Sequence, residues 1–241
     1  ALISGNRVLV KCSSSDNILL PFIANFLIHI EPGLTSEIAF SEDRLTKYDV
    51  VIATGSNNTA RYFAHYFGHK PNIIRKNRNS VAVLTGKETE EQLYALGEDI
   101  FRYYGLGCRN VSKLFVPQDY SFDEFFKGID TYKYLIDQNK YANNYDYNKA
   151  VYLMSAVDFL DNGFFLLKED TGYASPIGTA LYERYAEIEG LKIKLAGDKE
   201  QIQCIVGGEM FKNAIPFGKT QKPELWDYAD GVDTVEFLLK T

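Results

Sequence analysis

Between Arg7 and Tyr104, short apolar runs of strand length alternate with helix-length apolar faces, and this alternation leaves few folds open. Arg7 to Lys11 (RVLVK) reads as a short buried strand. Ser13 to Asp16 offer N-cap side chains ahead of an apolar helix that runs to Ile30 and stops at Pro32-Gly33. Glu37 to Phe40 and the β-branched run Tyr48 to Ala53 (YDVVIA) give two more strands. Ala60, Phe63, Ala64 and Phe67 make one apolar helical face. Ile73-Ile74 and Val81 to Leu84 are further strands. Thr85 and Glu88 have the spacing of a capping box before a helix carrying Leu93, Leu96, Ile100 and Tyr104 on one side. Strand, crossover helix, strand, repeated, predicts an α/β chain with a mostly parallel sheet and helices on both of its faces.

The second half has a different texture. Ser121 and Glu124 are placed to cap a helix, and Tyr and Asn crowd between Tyr132 and Tyr152, where a helix packing surface is expected. Strands are predicted at Phe164 to Leu167, Thr179 to Tyr182, Leu191 to Leu195 and Ile202 to Val206. Neither an internal repeat nor a low-complexity linker is present. Gly105 and Gly107 interrupt the helical pattern and suggest a division into residues 1–105 and 106–241. With 241 residues, 46% of them hydrophobic and 24% charged, the chain can bury the core of one large domain or two small ones.

A net charge of -6 argues against nucleic acid as a partner, although a local basic patch can still hold a phosphate. Cys12, Cys108 and Cys204 are too few for a disulfide scaffold and too far apart for a CxxC site, so reduced thiols in a cytoplasmic protein are expected. The longest apolar run, Ile18 to Ile30, is broken by Pro21, Asn25 and His29 and is too short to insert stably in a bilayer. The first residues carry no basic leader and run almost directly into a strand, which reads as a chain entered in mid-fold.

Three stretches could carry chemistry. Thr54-Gly55-Ser56 joins a strand to a helix, where free N–H groups and the positive helix end favour a pyrophosphate. The full GxGxxG fingerprint is absent, and Ser56 is a good N-cap for structural reasons alone. Cys108 follows a Gly-x-Gly turn, which can expose a thiol beside backbone donors, with Arg109 at hand to favour the thiolate. A free cysteine is more often a small buried hydrophobe. Arg75-Lys76-Asn77-Arg78 is a basic cluster that could meet a phosphate, or a solvated loop. On these residues alone the structural reading of each stretch is the stronger. His29, His65 and His69 lie far from Cys108 in sequence, Asp158 and Asp161 do not define an acid/base pair, and no metal-ligand spacing occurs.

Taken in order, four segments resemble the aldehyde dehydrogenase superfamily. Ala1-Leu2, Gly5-Asn6-Arg7-Val8 and Lys11-Cys12-Ser13 resemble its ALxxGNxVxxKxS segment, and Thr54-Gly55-Ser56 its pyrophosphate turn. Gly107-Cys108 followed by Ser112-Lys113-Leu114-Phe115-Val116 resembles its nucleophile segment. Pro216-Phe217-Gly218, Glu224-Leu225 and Tyr228 resemble its closing segment. Within the superfamily, GLGCRNVSKLFVP and IIRKNRNSVAVL look closest to the long-chain acyl-CoA reductases, the family of the fatty-acid reductase of bacterial luminescence.

The resemblance implies an aldehyde-dehydrogenase-like α/β fold, with a Rossmann-like cofactor domain over residues 1–105, an α/β catalytic domain over 106–241, and the family's N-terminal third absent. It implies Cys108 as the catalytic nucleophile, Lys11 and Ser13 at the adenosine ribose, Thr54, Gly55 and Ser56 at the pyrophosphate, and Phe217 at the substrate end. Where hydrolytic members carry a general-base glutamate in ELGG, this chain has Arg75-Lys76-Asn77-Arg78, which suits reduction of an acyl group rather than its hydrolysis. Ser14 stands where NAD-preferring members often have glutamate, which favours NADPH over NADH.

The activity implied is NADPH-dependent reduction of a fatty acyl-CoA to the aldehyde through a cysteine acyl-enzyme. The resemblance further implies a homo-oligomer working beside an acyl-activating enzyme. Two alternatives stay open: another NAD(P)-dependent aldehyde, semialdehyde or acyl-phosphate enzyme of the superfamily, and a non-catalytic nucleotide-binding remnant.

Overall fold

The computed structural model describes residues 1–14, 16–208, 211 and 213–241. The chain divides into two compact units, Ala1–Lys76 with Tyr228–Thr241, and Asn77–Asp227.

The first unit opens with β1 (Val8–Val10), α1 (Leu19–Ile30) and β2 (Ile38–Phe40), and continues with β3 (Val51–Thr54), α2 (Asn57–Phe67) and β4 (Asn72–Arg75). β1 pairs with β2 and β3 with β4, both in parallel, so each helix is the crossover that a parallel pair requires. The cap expected for α1 does not form. Its N-cap is Ile18, without a side-chain bond, while Ser13 and Asp16 bridge each other in the turn before it.

The second unit is built on β5 (Asn79–Val83), α3 (Glu90–Phe101), β6 (Val111–Pro117), α4 (Asp123–Gly128) and α5 (Asn139–Met154). The chain goes on through β7 (Phe159–Asp161), β8 (Leu166–Glu169), β9 (Thr179–Tyr185), α6 (Ile188–Gly197) and β10 (Ile202–Val206). Its six strands lie in the order β10-β5-β6-β9-β8-β7. Every neighbouring pair is parallel except β7 with β8. After this unit the chain returns to the first one as α7 (Thr234–Leu239), where Asn6 Nδ2 donates to the Leu238 carbonyl at 3.1 Å.

Both faces of the central strands are buried, as a parallel sheet demands. Along β5, Val81 and Val83 enter one core with Phe115, Leu191 and Leu195. Ala82, and Leu84 just beyond the strand, enter the other, with Leu93, Leu96, Ile100 and the ring cluster around Phe101. Tyr141 and Tyr145 of α5 are buried in that second core, as is Tyr132 in the 3-10 turn before it, while Tyr134 and Tyr147 of the Tyr-rich stretch face outward.

Three local expectations are corrected. The capping box is Thr89 with Gln92, four residues after Thr85 and Glu88; the Glu88 carboxylate instead accepts from Thr85 N at 2.6 Å and Thr85 Oγ1 at 2.7 Å, closing a turn. Ser121 lies one residue before the N-cap of α4, Phe122, and its Oγ accepts from Asp123 N at 3.3 Å and donates to Asp123 Oδ2 at 2.7 Å. Leu191 to Leu195 lie in α6, not in a strand. The alternation Leu-Lys-Ile-Lys-Leu fits a period of two, but β9 and β10 run parallel in one sheet and need a crossover, so the segment coils and buries Leu191 and Leu195 on one side. Gly105 to Gly107 fall inside the second unit, and the two units meet in sequence at Lys76 and Asn77. Among the described residues, no helix is long and apolar enough to cross a membrane.

Candidate active site

In the second unit, α3 ends at Phe101 and the chain enters β6 at Val111. Between them, Tyr103, Tyr104 and Gly105 take consecutive left-handed backbone conformations, with φ of 55°, 58° and 75°. For the two tyrosines this conformation costs on the order of 1–2 kcal/mol each. It reverses the chain so sharply that Gly107-Cys108-Arg109-Asn110 forms a tight turn, closed by Asn110 N donating to the Gly107 carbonyl at 2.9 Å. Cys108 stands in this turn and is exposed.

Buried groups hold the turn from below. The Asn110 side chain accepts from Gly107 N at 2.9 Å and donates to the carbonyls of Asp99 at 2.9 Å and Arg102 at 2.9 Å. A Cβ at Gly107 would lie 2.8 Å from Asn110 Oδ1, so a larger residue would have to displace the Asn110 amide from its bonds. Ser80 Oγ donates to the Cys108 carbonyl at 2.9 Å and lies 2.9 Å from Cys204 Sγ. Cys204, like Cys12, is half-buried, and burial pushes its thiol up from the ordinary range despite the opposing pull of Ser80 and Arg109.

A second buried group reaches the turn from the other side. Asp99 of α3 is fully buried and accepts from Gly218 N at 2.6 Å, Thr220 N at 2.9 Å and Thr220 Oγ1 at 2.8 Å. Burial raises its pKa, and those three donors oppose the rise. Thr220 in turn accepts from Arg109 Nε through its carbonyl. Arg109 is thus committed to this carbonyl. The segment so fixed includes Phe217, which packs on the larger core and, with Ala95, Gly207, Phe211 and Pro216, lines an open, mostly apolar groove.

In the first unit the other candidate residues follow the carboxyl ends of parallel strands, where open α/β sheets hold nucleotides. Thr54 ends β3 and is exposed; Gly55 N donates to the Arg75 carbonyl at 3.2 Å. A Cβ at Gly55 would come within 2.9 Å of Thr59, so glycine lets α2 pack tightly onto the strand end. Ser56 is the N-cap of α2: its Oγ accepts from Thr59 N at 3.1 Å and its carbonyl from Ala60 N at 2.8 Å. The amides of Asn57 and Asn58 are left at the open end of the helix, which is the donor arrangement a phosphate needs. Lys11 follows β1, and its ammonium donates to the carbonyls of Glu42 at 2.9 Å and Asp43 at 3.1 Å. Ser13 lies two residues further on and is exposed.

The structure brings Thr54, Gly55 and Ser56 together at one turn and Lys11 and Ser13 together at another. It ties the Cys108 turn to the Phe217 segment through Asp99, Thr220 and Arg109. The basic cluster is divided between the units: Arg75 bonds Thr234 Oγ1 at 3.2 Å and lies 3.9 Å from Asp230, and Arg78 lies 3.7 Å from Glu200. His29, His65 and His69 are exposed and belong to the first unit. Asp161 is occupied by Tyr145, Lys149 and the Gly163 amide. Among the described residues, no group of three His, Cys, Asp or Glu side chains could hold a metal ion.

Sequence reasoning missed Ser80, Asp99, Asn110 and Thr220. For Asp99 a signal existed: it follows Leu96 by three residues and precedes Ile100, so it extends an apolar helical stripe with a charge.

No protein-family model matches the chain, and no curated protein sequence matches it. Solved structures do. AldA, the indole-3-acetaldehyde dehydrogenase of P. syringae, is similar at a TM-score of 0.63 and 14% identity over 86% of this chain and 51% of its own. Proline utilization A of Bradyrhizobium japonicum is similar at 0.60 and 16% identity, over 86% and 25%. The NAD-dependent benzaldehyde dehydrogenase of Corynebacterium glutamicum is similar at 0.60 and 13% identity, over 84% and 53%. The chain therefore has the aldehyde dehydrogenase fold, and it spans from a quarter to about half the length of these proteins.

Proposed function

We propose that this chain reduces a long-chain fatty acyl-CoA to the aldehyde, with Cys108 as the acyl-accepting nucleophile. The observation that carries the reading is the exposed Cys108 thiol in a turn whose backbone is anchored by Ser80, Asn110 and Arg109. Cys12 and Cys204, by contrast, are half-buried.

The Cys108 thiolate attacks the thioester carbon, and the developing oxyanion meets the Cys108 backbone N–H. The bond to the CoA sulfur breaks, CoA leaves as the thiolate, and the acyl group stays on Cys108. The groove beside Phe217 suits an alkyl chain along Ala95, Ala214, Pro216 and Phe217, with Glu91 and Gln92 supplying polar groups of its lining. The stretch Arg75 to Arg78 contains no carboxylate to activate water against the acyl-enzyme, which supports reduction over hydrolysis.

A nicotinamide cofactor, NADPH in preference to NADH, supplies when bound the hydride that reduces the thioacyl carbon. Ser56, Gly55 and the open amides of α2 would hold its pyrophosphate, with Thr54 beside them and Lys11 and Ser13 toward the adenosine ribose. The hemithioacetal on Cys108 then expels the aldehyde and returns the thiolate. In sum, acyl-CoA, NADPH and one proton give aldehyde, CoA and NADP⁺.

The test is intact-protein mass spectrometry after incubation with a long-chain acyl-CoA and no reductant. Addition of one acyl group at Cys108, absent in Cys108→Ala, is expected. A folded protein that gains no acyl mass would overturn the reading. The dehydrogenase names of the similar structures favour one second reading, another NAD(P)-dependent aldehyde or semialdehyde enzyme. Preferential acylation by short-chain thioesters would select it.

A further inference from the structure

We infer that Asp99 is a positioning residue for the nucleophile, holding Gly218 and Thr220 so that the Phe217 segment and the Cys108 turn form one rigid piece. The inference rests on the proposed role of Cys108 for its catalytic meaning. Its mechanical content stands on the hydrogen bonds alone.

A buried carboxylate costs free energy unless donors and charges repay it, and mutation readily replaces one that serves no purpose. No salt bridge involves Asp99 among the described residues; it is held by three donors that all belong to residues 218–220. Those residues lie about 120 positions further along the chain, and between Gly197 and Ala229 only β10 gives the described residues regular secondary structure. Among the described residues, no other hydrogen bond ties residues 216–221 to α3.

The connection then runs to the thiol in two short steps. The Thr220 carbonyl accepts from Arg109, the residue after Cys108. The Asp99 carbonyl accepts from Asn110, which also takes the amide of Gly107 on the other side of Cys108. One residue therefore serves the nucleophile turn with its backbone and the substrate-end segment with its side chain. Hydrophobic packing alone permits sliding by a fraction of an ångström. A directional network of this kind does not, and such displacements are large on the scale of an attack geometry.

The test compares the full chain with Asp99→Asn and Thr220→Val. The first substitution keeps the shape of the side chain but turns an NH₂ toward one of the donors. The second removes only the hydroxyl donor and keeps the backbone bonds. Two measurements are made. Hydrogen exchange reports the amides of residues 107–110 and 216–220 without requiring any activity. The rate of Cys108 acylation is followed against acyl-CoA concentration.

In Asp99→Asn, exchange at both segments is expected to rise at least tenfold while the amides of β5 and β6 stay as they were. The saturating acylation rate is expected to fall at least tenfold, with a less than threefold change in the half-saturating concentration. Thr220→Val is expected to show the same pattern more weakly. Unchanged exchange at residues 107–110 in Asp99→Asn overturns the inference whatever acylation does. A uniform rise across the whole second unit also overturns it, because Asp99 would then serve stability only. If the unaltered protein is not acylated, the proposed function falls, and the exchange pattern still decides whether Asp99 couples the two segments.

Discussion

Lys113 shows how much one side chain can depend on its partner. It lies on β6 with its side chain fully buried, donating to Glu183 Oε2 at 2.8 Å and to the Asp170 carbonyl at 3.0 Å, with its ammonium 5.0 Å from the ring centres of both Phe115 and Tyr173. Burial lowers its pKa, and the Glu183 bond opposes that fall. Glu183 has a second cation, Lys194, at 2.9 Å. The two halves of the pair are therefore unequal. Glu183→Gln leaves a buried ammonium without its counter-ion and is expected to cost about 3–5 kcal/mol. Lys113→Met fills the same space, leaves Glu183 paired with Lys194, and is expected to cost less than about 1.5 kcal/mol. Urea denaturation of both variants at neutral pH checks the order; equal losses would refute it. At this scale the exposed candidates were legible in the sequence and the buried groups were not. Cys108 and Thr54-Gly55-Ser56 could be singled out because they sit at turns between periodic segments. Asp99, Lys113 and Asn110 could not, since a charged or amide residue is ordinarily solvated and only a fold can supply its buried partners.

Among the elements, α3 matters most, because its far end delivers the Cys108 turn. Its start is fixed by the reciprocal Thr89–Gln92 box, with Gln92 N on Thr89 Oγ1 at 3.3 Å and Thr89 N on Gln92 Oε1 at 2.9 Å. Thr89→Ala is expected to destabilise the second unit by about 1 kcal/mol, read as a lower urea midpoint with unchanged slope. A box at Thr85 and Glu88 would instead make that substitution silent. Helices and strands whose periods were unambiguous, such as α2 with its four apolar positions and β10, were legible from their residues. Leu191 to Leu195 were not, because five residues that alternate can also place their two leucines one turn apart. The topology between β9 and β10 decides the matter, and it is not written locally. Tyr103 and Tyr104 are a similar case: nothing in Tyr-Tyr-Gly announces two left-handed tyrosines.

For the whole molecule, the parallel α/β architecture followed from the alternation of elements, whereas the division at Lys76 and Asn77 did not. No glycine or proline stands between the end of β4 and the start of β5, so composition gives no punctuation there. Removal of residues 228–241 is expected to leave the second unit folded, since its sheet and both of its cores lie within residues 77–227. The first unit would lose the bonds of Asn6 to Leu238 and Arg75 to Thr234. Limited proteolysis should then cut within residues 1–76 while sparing 77–227; protection of both regions would show that α7 is dispensable.

The return of the chain to its first unit also sets an order in time. Residues 1–76 leave the ribosome before α7, a piece of the same unit that emerges about 150 residues later. During that interval residues 1–76 lack the contacts that α7 supplies, the Asn6 bond to the Leu238 carbonyl among them, while the strands of the second sheet are already emerging. Vectorial synthesis thus delivers residues 77–227, Cys108 included, before α7 can join residues 1–76, and protection of the Asn6 segment in stalled nascent chains should appear only once α7 has emerged.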